Sequence, residues 1–132
     1  MAGKLDEVFG FYENSLRLRV QRQQVLASNI ANADTPHYKA RDFDFAQVLR
    51  ARLKASGSAA ALTQSSPAHL GGVASSPLPE TQMRAASQNS LDGNTVDLDL
   101  ERAAFAENAL RYEASVTLAN AQIKSLMTVL QG

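Results

Sequence analysis

Residues 28–45 read SNIANADTPHYKARDFDF, and this stretch decides how the rest of the chain is arranged. A helical pattern runs up to it and stops within it, because Asn32 and its polar neighbours carry short side chains that bond their own backbone instead of continuing a helix. Pro36 lacks a backbone donor and moves the residue before it out of the α region. The stretch therefore predicts a corner at Asn32–Pro36, followed by an extended arm at Tyr38–Phe45.

Upstream of the corner, apolar residues recur at alternating steps of three and four, which is typical of one face of a long helix. The pattern predicts a helix from about Lys4 to Asn32, with a length of about 40 Å at about 1.5 Å per residue. A second row beside the first contains Phe11, Leu18 and Val25. Two interpretations stay open, a wide core-facing stripe or a helix with neighbours on two sides. The first row consists of Leu5, Val8, Phe9, Tyr12, Leu16, Val20, Gln23, Ala27 and Ile30.

A second long helix is predicted at the other end of the chain. Asp97 is the expected N-cap, and Asp99 and Glu101 follow in the first turn, where the helix dipole favours anions. Beyond them, apolar residues advance by alternating steps of four and three over nearly four heptads, which is typical of a coiled-coil seam. The seam consists of Phe105, Ala109, Tyr112, Val116, Ala119, Ile123, Leu126 and Leu130.

The region between the two helices changes in composition. Residues 46–54 could form a short helix. Residues 56–90 are dominated by Ala, Ser, Gly and Pro, and they are predicted to be mobile because they hold little apolar area to offset the entropy of ordering. We expect an all-α fold whose long terminal helices pack as a coiled-coil-like pair. Its parts are an N-terminal helix (1–34), a turn, arm and short helix (35–55), a flexible segment (56–90) and a C-terminal helix (91–132).

Composition and charge argue against several classes of function. Lys plus Arg and Asp plus Glu both number 13, so the net charge gives no electrostatic reason to expect nucleic acid or an anionic membrane as partner. The chain has no cysteine and only two distant histidines, so we expect no metal site and no cofactor. No phosphate-binding loop, GxSxG or HExxH motif occurs, and we expect no catalytic site and no enzyme.

No part of the sequence is typical of a membrane or secretory segment. No apolar run approaches the roughly 20 residues that a membrane span needs. The first residues, MAGKLDEVFGFYENSL, lack the apolar core of a cleaved secretory signal. We therefore expect no membrane insertion, and no cleaved signal if the protein leaves the cytoplasm.

A lone hairpin of two helices with neither cysteine nor metal is at best marginally stable. Both helices carry apolar side chains on more than one face, so each offers area that the other cannot cover. We therefore hypothesise that the terminal helices are largely unfolded in the isolated chain and become ordered on assembly.

The run SNIANADTP followed by YKARDFDF resembles the N-terminal signature of the bacterial flagellar axial proteins, the rod, hook and hook-associated family. The short length, the YKARDFDF continuation and the final run from Asn94 are most similar to a proximal rod protein within that family. The similar blocks cover residues 5–53 and 89–132. Where the family usually has Gly after the turn, this chain has His37, so either the turn keeps a negative φ or some strain is accepted.

The resemblance implies a non-enzymatic structural subunit of the flagellar basal-body rod. Such subunits polymerise helically into a tube that spans the periplasm, connects the export and motor base to the distal rod, and transmits torque. The resemblance further implies export by the flagellar type III apparatus without a cleaved signal. The implied partners are other copies of the chain, the next proximal rod protein, the rod-base adaptor and the type III export gate.

A soluble coiled-coil adaptor or secretion chaperone in the cytoplasm is the alternative. It explains the seam and the balanced charge but gives no role to the signature.

We expect the subunit contacts to come from the apolar rows and the Asn29–Phe45 segment, in an open head-to-tail filament. The candidate interface residues are Leu16, Val20, Ile30, Asn32, Pro36, Tyr38, Phe43, Phe45, Phe105, Tyr112, Val116, Ile123, Leu126 and Leu130.

Overall fold

The structure is a computed structural model that describes residues 2–57, 79–85 and 90–132. The described residues form two long helices, one shorter helix and two strands of two residues each. The prediction of an all-α fold whose long terminal helices pack together is confirmed. The elements in chain order are α1 (Ala2–Ala31), β1 (Arg41–Asp42), α2 (Phe45–Gly57), β2 (Gln82–Met83) and α3 (Leu98–Gln131).

α1 begins and ends close to its predicted bounds. Its last turn closes through the Asn32 N–H, which donates to the carbonyls of Ser28 and Asn29 at 3.1 and 3.2 Å. The Asn32 side chain donates to the Ser28 carbonyl at 2.8 Å and accepts from the Thr35 hydroxyl at 3.1 Å. The polar residues of the corner thus end the helix by satisfying its last carbonyls locally.

α3 begins at the predicted N-cap. The carboxylate of Asp97 accepts the backbone N–H groups of Asp99 and Leu100, both at 3.2 Å. α3 then runs antiparallel to α1. Glu101 bonds to Asn29, whereas Asn108, which lies further along α3, bonds to Arg19 and Gln23, which lie earlier in α1. No helix within the described ranges is both long and apolar enough to cross a membrane.

The chain has one strained residue just before the arm, and the arm ends earlier than predicted. His37 has a φ of 61°, so the turn accepts the strain that a glycine would avoid. The predicted arm included Phe45, but α2 already begins there. The reason is that the Asp44 carboxylate accepts the Gln47 N–H at 3.1 Å and caps the helix.

The segment predicted to be flexible lies largely outside the described residues, which leave out 58–78 and 86–89. Within residues 79–85, β2 pairs antiparallel with β1. The Arg84 N–H extends this pairing by donating to the Ala40 carbonyl at 2.8 Å. The chain therefore returns to the arm before it enters α3.

The core is small and lies around the second half of α1. The apolar residues that are buried in the described part of the chain are Leu18, Leu26, Ala40 and Phe43. Leu18 belongs to the second predicted row of α1, whereas Val20 of the first row is 44% exposed. This distribution favours the interpretation in which the long helices have neighbours on a second side.

Candidate functional site

A buried hydrogen-bond hub centred on Asn29 joins the end of α1, the arm and the start of α3. The Asn29 side chain is 0% exposed, and its amide nitrogen donates to the Arg41 carbonyl at 2.7 Å and to the Glu101 carboxylate at 3.0 Å. Its amide oxygen accepts from the Arg41 N–H at 3.1 Å and the Tyr38 hydroxyl at 3.2 Å. All four partners suit a neutral amide, which presents donors and acceptors on one short side chain.

Asn94 closes the other side of the corner. Its amide nitrogen lies 3.0, 2.8 and 2.9 Å from the carbonyl oxygens of Asn32, Ala33 and Thr35. These carbonyls follow the last turn of α1, where no intrahelical donor is available to them. A buried residue that precedes α3 thus binds the backbone of the corner that follows α1.

The turn before α3 also bonds directly to the arm. The His37 N–H donates to the Asp92 carbonyl at 2.9 Å, and the Thr95 N–H donates to the Tyr38 carbonyl at 3.0 Å. Gly93 has a φ of 73°, and a β-carbon there would lie 2.9 Å from Nδ1 of His37. Both its conformation and its close approach to the side chain of His37 therefore favour glycine at position 93.

Four charged side chains form a second layer beside the hub, which we call the junction cluster: Arg22, Asp42, Arg84 and Glu101. Arg22 holds Asp42 with two parallel bonds of 3.1 and 3.0 Å. Arg84 bridges Asp42 at 2.5 Å and Glu101 at 2.6 Å. The Glu101 side chain is only 1% exposed, so Arg84 supplies the charge that its burial requires.

The surroundings of Asp42 hold its pKa below the usual value of an aspartate. Burial acts in the opposite direction and raises the pKa, but the hydrogen bonds from Arg22, the Phe43 N–H and Arg84, together with the charge of Arg22, outweigh it. Bonding to Asp42 correspondingly raises the pKa of Arg22, against the effect of burial. Asp42 and Arg22 therefore form a charged pair at neutral pH.

A groove of about 420 Å³ lies further along the hairpin, between the first apolar row of α1 and the seam of α3. We call it the α1–α3 groove. Its lining includes Val20, Ala27, Phe105, Ala109 and Tyr112, all from the predicted rows. The two rows therefore meet on one side of the hairpin and form a common apolar face.

Two buried polar atoms at this groove have no hydrogen-bond partner in the described part of the chain. Asn108 donates to the Arg19 carbonyl at 2.9 Å and to the Gln23 side chain at 2.6 Å, while its Oδ1 remains without a donor. Nε of Arg19 is likewise without an acceptor. Burial, with repulsion from Arg111 and Arg22, lowers the pKa of Arg19, although Glu107 opposes this.

The structure places the predicted interface residues in three environments. Phe43 is 5% exposed and belongs to the core of its own chain, so it does not offer a surface to a neighbour. The half-buried residues are Leu16, Ile30, Asn32, Tyr38, Phe45, Phe105, Val116 and Leu126. The exposed residues are Val20, Pro36, Tyr112, Ile123 and Leu130.

Sequence patterns gave no role to the side chains of Asn94, Asn108 and Arg84. They placed Asn29 only within the predicted subunit-contact segment and gave Glu101 only a role in the helix dipole. Glu101 and Asn108 lie seven residues apart on α3 and are its buried residues, so a heptad search that admitted polar residues would have found them. No local sequence pattern identifies Arg84, because its partners are distant in sequence.

The family model "Flagella basal body rod protein" matches residues 14–39, which include Asn29 and the corner. The flagellar basal body rod protein FlgB of Escherichia coli (strain K12) is 50% identical over 135 residues, covering 99% of this chain and 98% of that protein. FlgB of Salmonella typhimurium is 47% identical, covering 100% and 99%. FlgB of Buchnera aphidicola is 38% identical over the whole of both chains. Since similarity at this level extends from end to end, the chain belongs to the FlgB family of flagellar basal body rod proteins.

Proposed function

We propose that the chain is a structural, non-enzymatic subunit of the flagellar basal body rod. It assembles there with other rod components into a helical tube that connects the export and motor base to the distal rod and transmits torque. Membership of the FlgB family supports this role. In such a subunit, the apolar rows and the corner both position the helices against neighbouring subunits.

The observation that carries the proposal is the apolar face along the hairpin. Several of its large side chains are more than one third exposed: Leu5, Val8, Phe9, Val20, Tyr112, Ile123 and Leu130. Contiguous apolar surface of this kind is typical of an interaction site. The α1–α3 groove lies on this face, and its lining includes Val20, Phe105 and Tyr112.

The finer assignments rest on the resemblance alone. The subunit is exported by the flagellar type III apparatus without a cleaved signal and contacts the export gate on its way. In the rod it contacts other copies, the rod-base adaptor and the next proximal rod protein. A cytoplasmic coiled-coil adaptor or secretion chaperone receives no support from the relatives, which are all rod proteins.

Fractionation of flagellated cells tests the proposed function. An epitope-tagged full chain, expressed as the sole copy, is expected to restore motility and to copurify with detergent-extracted basal bodies. The control is an unrelated cytosolic protein that carries the same tag. Recovery of the functional chain in the cytosol, with none in basal bodies, would contradict a rod subunit and favour the adaptor.

A further inference from the structure

A second depression, which we call the arm cleft, lies on α1 next to the arm and away from the α1–α3 groove. It has a volume of about 570 Å³. Val25 of α1, Lys39 and Arg41 of the arm, and Met83 of β2 contribute to its lining. Met83 is 70% exposed, so the cleft presents apolar surface beside two cationic side chains.

The two cations of the arm cleft are not neutralised within the described part of the chain. The Lys39 ammonium donates to the Gly93 carbonyl at 2.7 Å, and neither Lys39 nor Arg41 takes part in the ion pairs of the described residues. Both residues are exposed. A segment that combines a carboxylate with apolar side chains fits this surface by charge as well as by hydrophobicity.

The first turns of α1 have the complementary chemistry. Leu5 and Phe9 are 41% and 37% exposed and lie four residues apart on one face, as in a helix that docks into a groove. Asp6 borders this face at about 100° from Leu5, whereas Glu7 lies at about 200°, on the far side. Asp6 is exposed and forms no ion pair among the described residues.

Asp6 cannot reach the arm cleft of its own chain. Asp6 and Val25 belong to the same continuous helix and lie about 28 Å apart at about 1.5 Å per residue. Only another molecule can therefore bring Asp6 to the cleft. A contact between two different surfaces of identical chains is heterologous and, unless it closes into a ring, produces an open filament.

We propose that the arm cleft of one copy binds the first turns of α1 from a second copy, with Asp6 paired to Arg41 or Lys39 and with Leu5 and Phe9 packed against Met83 and Val25. This inference deepens the proposed function and rests on it, since it names one contact by which rod subunits join head to tail.

Engineered disulfides test the contact directly, because the natural chain has no cysteine. A full chain that carries both Asp6→Cys and Arg41→Cys is expressed alongside the wild-type chain. Basal bodies are then isolated from these cells and oxidised. The two positions are too far apart to link within one chain, so every disulfide joins two molecules. The expected product is a ladder of dimers, trimers and longer species on a non-reducing gel.

The matched control is the pair Glu7→Cys and Arg41→Cys, which moves the cysteine to the far side of the same helix. A ladder of equal strength from both pairs, or none from the Asp6 pair in basal bodies that contain the variant, would overturn the proposed contact. A disulfide to a protein of another mass would assign the cleft to a different occupant. Absence of the tagged wild-type chain from basal bodies would instead contradict the proposed function.

Charge reversal provides an independent measurement. Asp6→Lys is expected to lower the amount of subunit recovered in basal bodies by about fivefold, the effect of one exposed ion pair. Combining it with Arg41→Asp is expected to restore the recovery, whereas Glu7→Lys leaves it unchanged. A double variant as poor as Asp6→Lys alone would contradict the pairing.

Discussion

At the scale of single residues, the fold depends on amides placed where three chain segments meet. Asn29 illustrates why a neutral amide is needed: it donates to the Glu101 carboxylate and to a carbonyl while it accepts from the arm. An aliphatic residue would leave Oε2 of Glu101 and the Arg41 carbonyl without the Asn29 donor, and the Arg41 N–H without its acceptor. Each such loss costs about 1–3 kcal/mol.

Asn29→Asp is expected to lower the free energy of unfolding by about 3 kcal/mol or more. The new carboxylate cannot donate, and it would lie close to the buried carboxylate of Glu101, which now accepts at 3.0 Å from the Asn29 amide. Because the terminal helices are expected to become ordered on assembly, the change is measured on assembled subunits, as the urea concentration at which isolated basal bodies release half of the chain. The control is Asn120→Asp, the same substitution at an exposed position on α3, and equal midpoints for the two variants would contradict the role of the hub.

The junction cluster predicts a pH dependence. Because the pKa of Asp42 is lower in the folded chain than in the unfolded one, its contribution is fully present above the unfolded value of about 3.9. The contribution is lost as the pH falls through the lowered folded pKa. Stability should therefore decrease in acid more steeply in the wild-type chain than in Asp42→Asn.

Thermal release of the two chains from isolated basal bodies, measured across the acidic range, compares their stabilities in the assembled state. At neutral pH Asp42→Asn should be the less stable by about 2–4 kcal/mol, since it leaves Arg22 and Arg84 without their shared carboxylate. The difference should shrink as the pH falls through the folded pKa of Asp42. A difference that stays constant with pH would show that the carboxylate does not stabilise the fold through its charge.

At the scale of secondary structure, the two long helices are not uniformly supported. The buried residues of α1 lie between Ser15 and Asn29, and those of α3 are Glu101 and Asn108. In the remaining parts of the two helices, residues 2–14 and 115–131, none of the residues whose burial is described is completely buried. Their stability within a single chain therefore depends mainly on intrinsic helix propensity, which is weak.

Amide hydrogen exchange of the isolated full chain should reveal this gradient. Residues 15–31 and 98–112 are expected to exchange more slowly than residues 2–14 and 115–131, because local opening is easiest where few side chains are buried. The same measurement on assembled rods should show protection along both helices. Uniform protection in the dilute chain would contradict the hypothesis that assembly orders the terminal helices.

Periodicity and capping chemistry were enough to predict α1, α3 and the Asp97 cap, because these signals are local. They did not predict that the residues α3 buries are Glu101 and Asn108. A search for apolar residues at heptad spacing misses polar residues that are buried because partners distant in sequence bond to them. The role of Arg84 was missed for the same reason, because its two carboxylate partners come from the arm and from α3.

At the scale of the whole molecule, the chain is a hairpin that leaves much of its apolar face uncovered. The corner, the hub and the junction cluster fix the angle between the helices at one end, while the paired helices extend from it. Burial of the uncovered face then requires neighbouring subunits. The central claim is that this face is the subunit interface of the rod.

The most direct test of this claim is the amount of subunit found in basal bodies from cells that express Ile123→Asp. Ile123 is 42% exposed, so the substitution is expected to leave expression intact while it places a charge in the interface. The control is Lys124→Asp, a charge change at the exposed neighbouring position. We expect no rods and no motility with Ile123→Asp, and normal assembly with Lys124→Asp. Basal bodies with a normal content of the Ile123→Asp chain would contradict the claim.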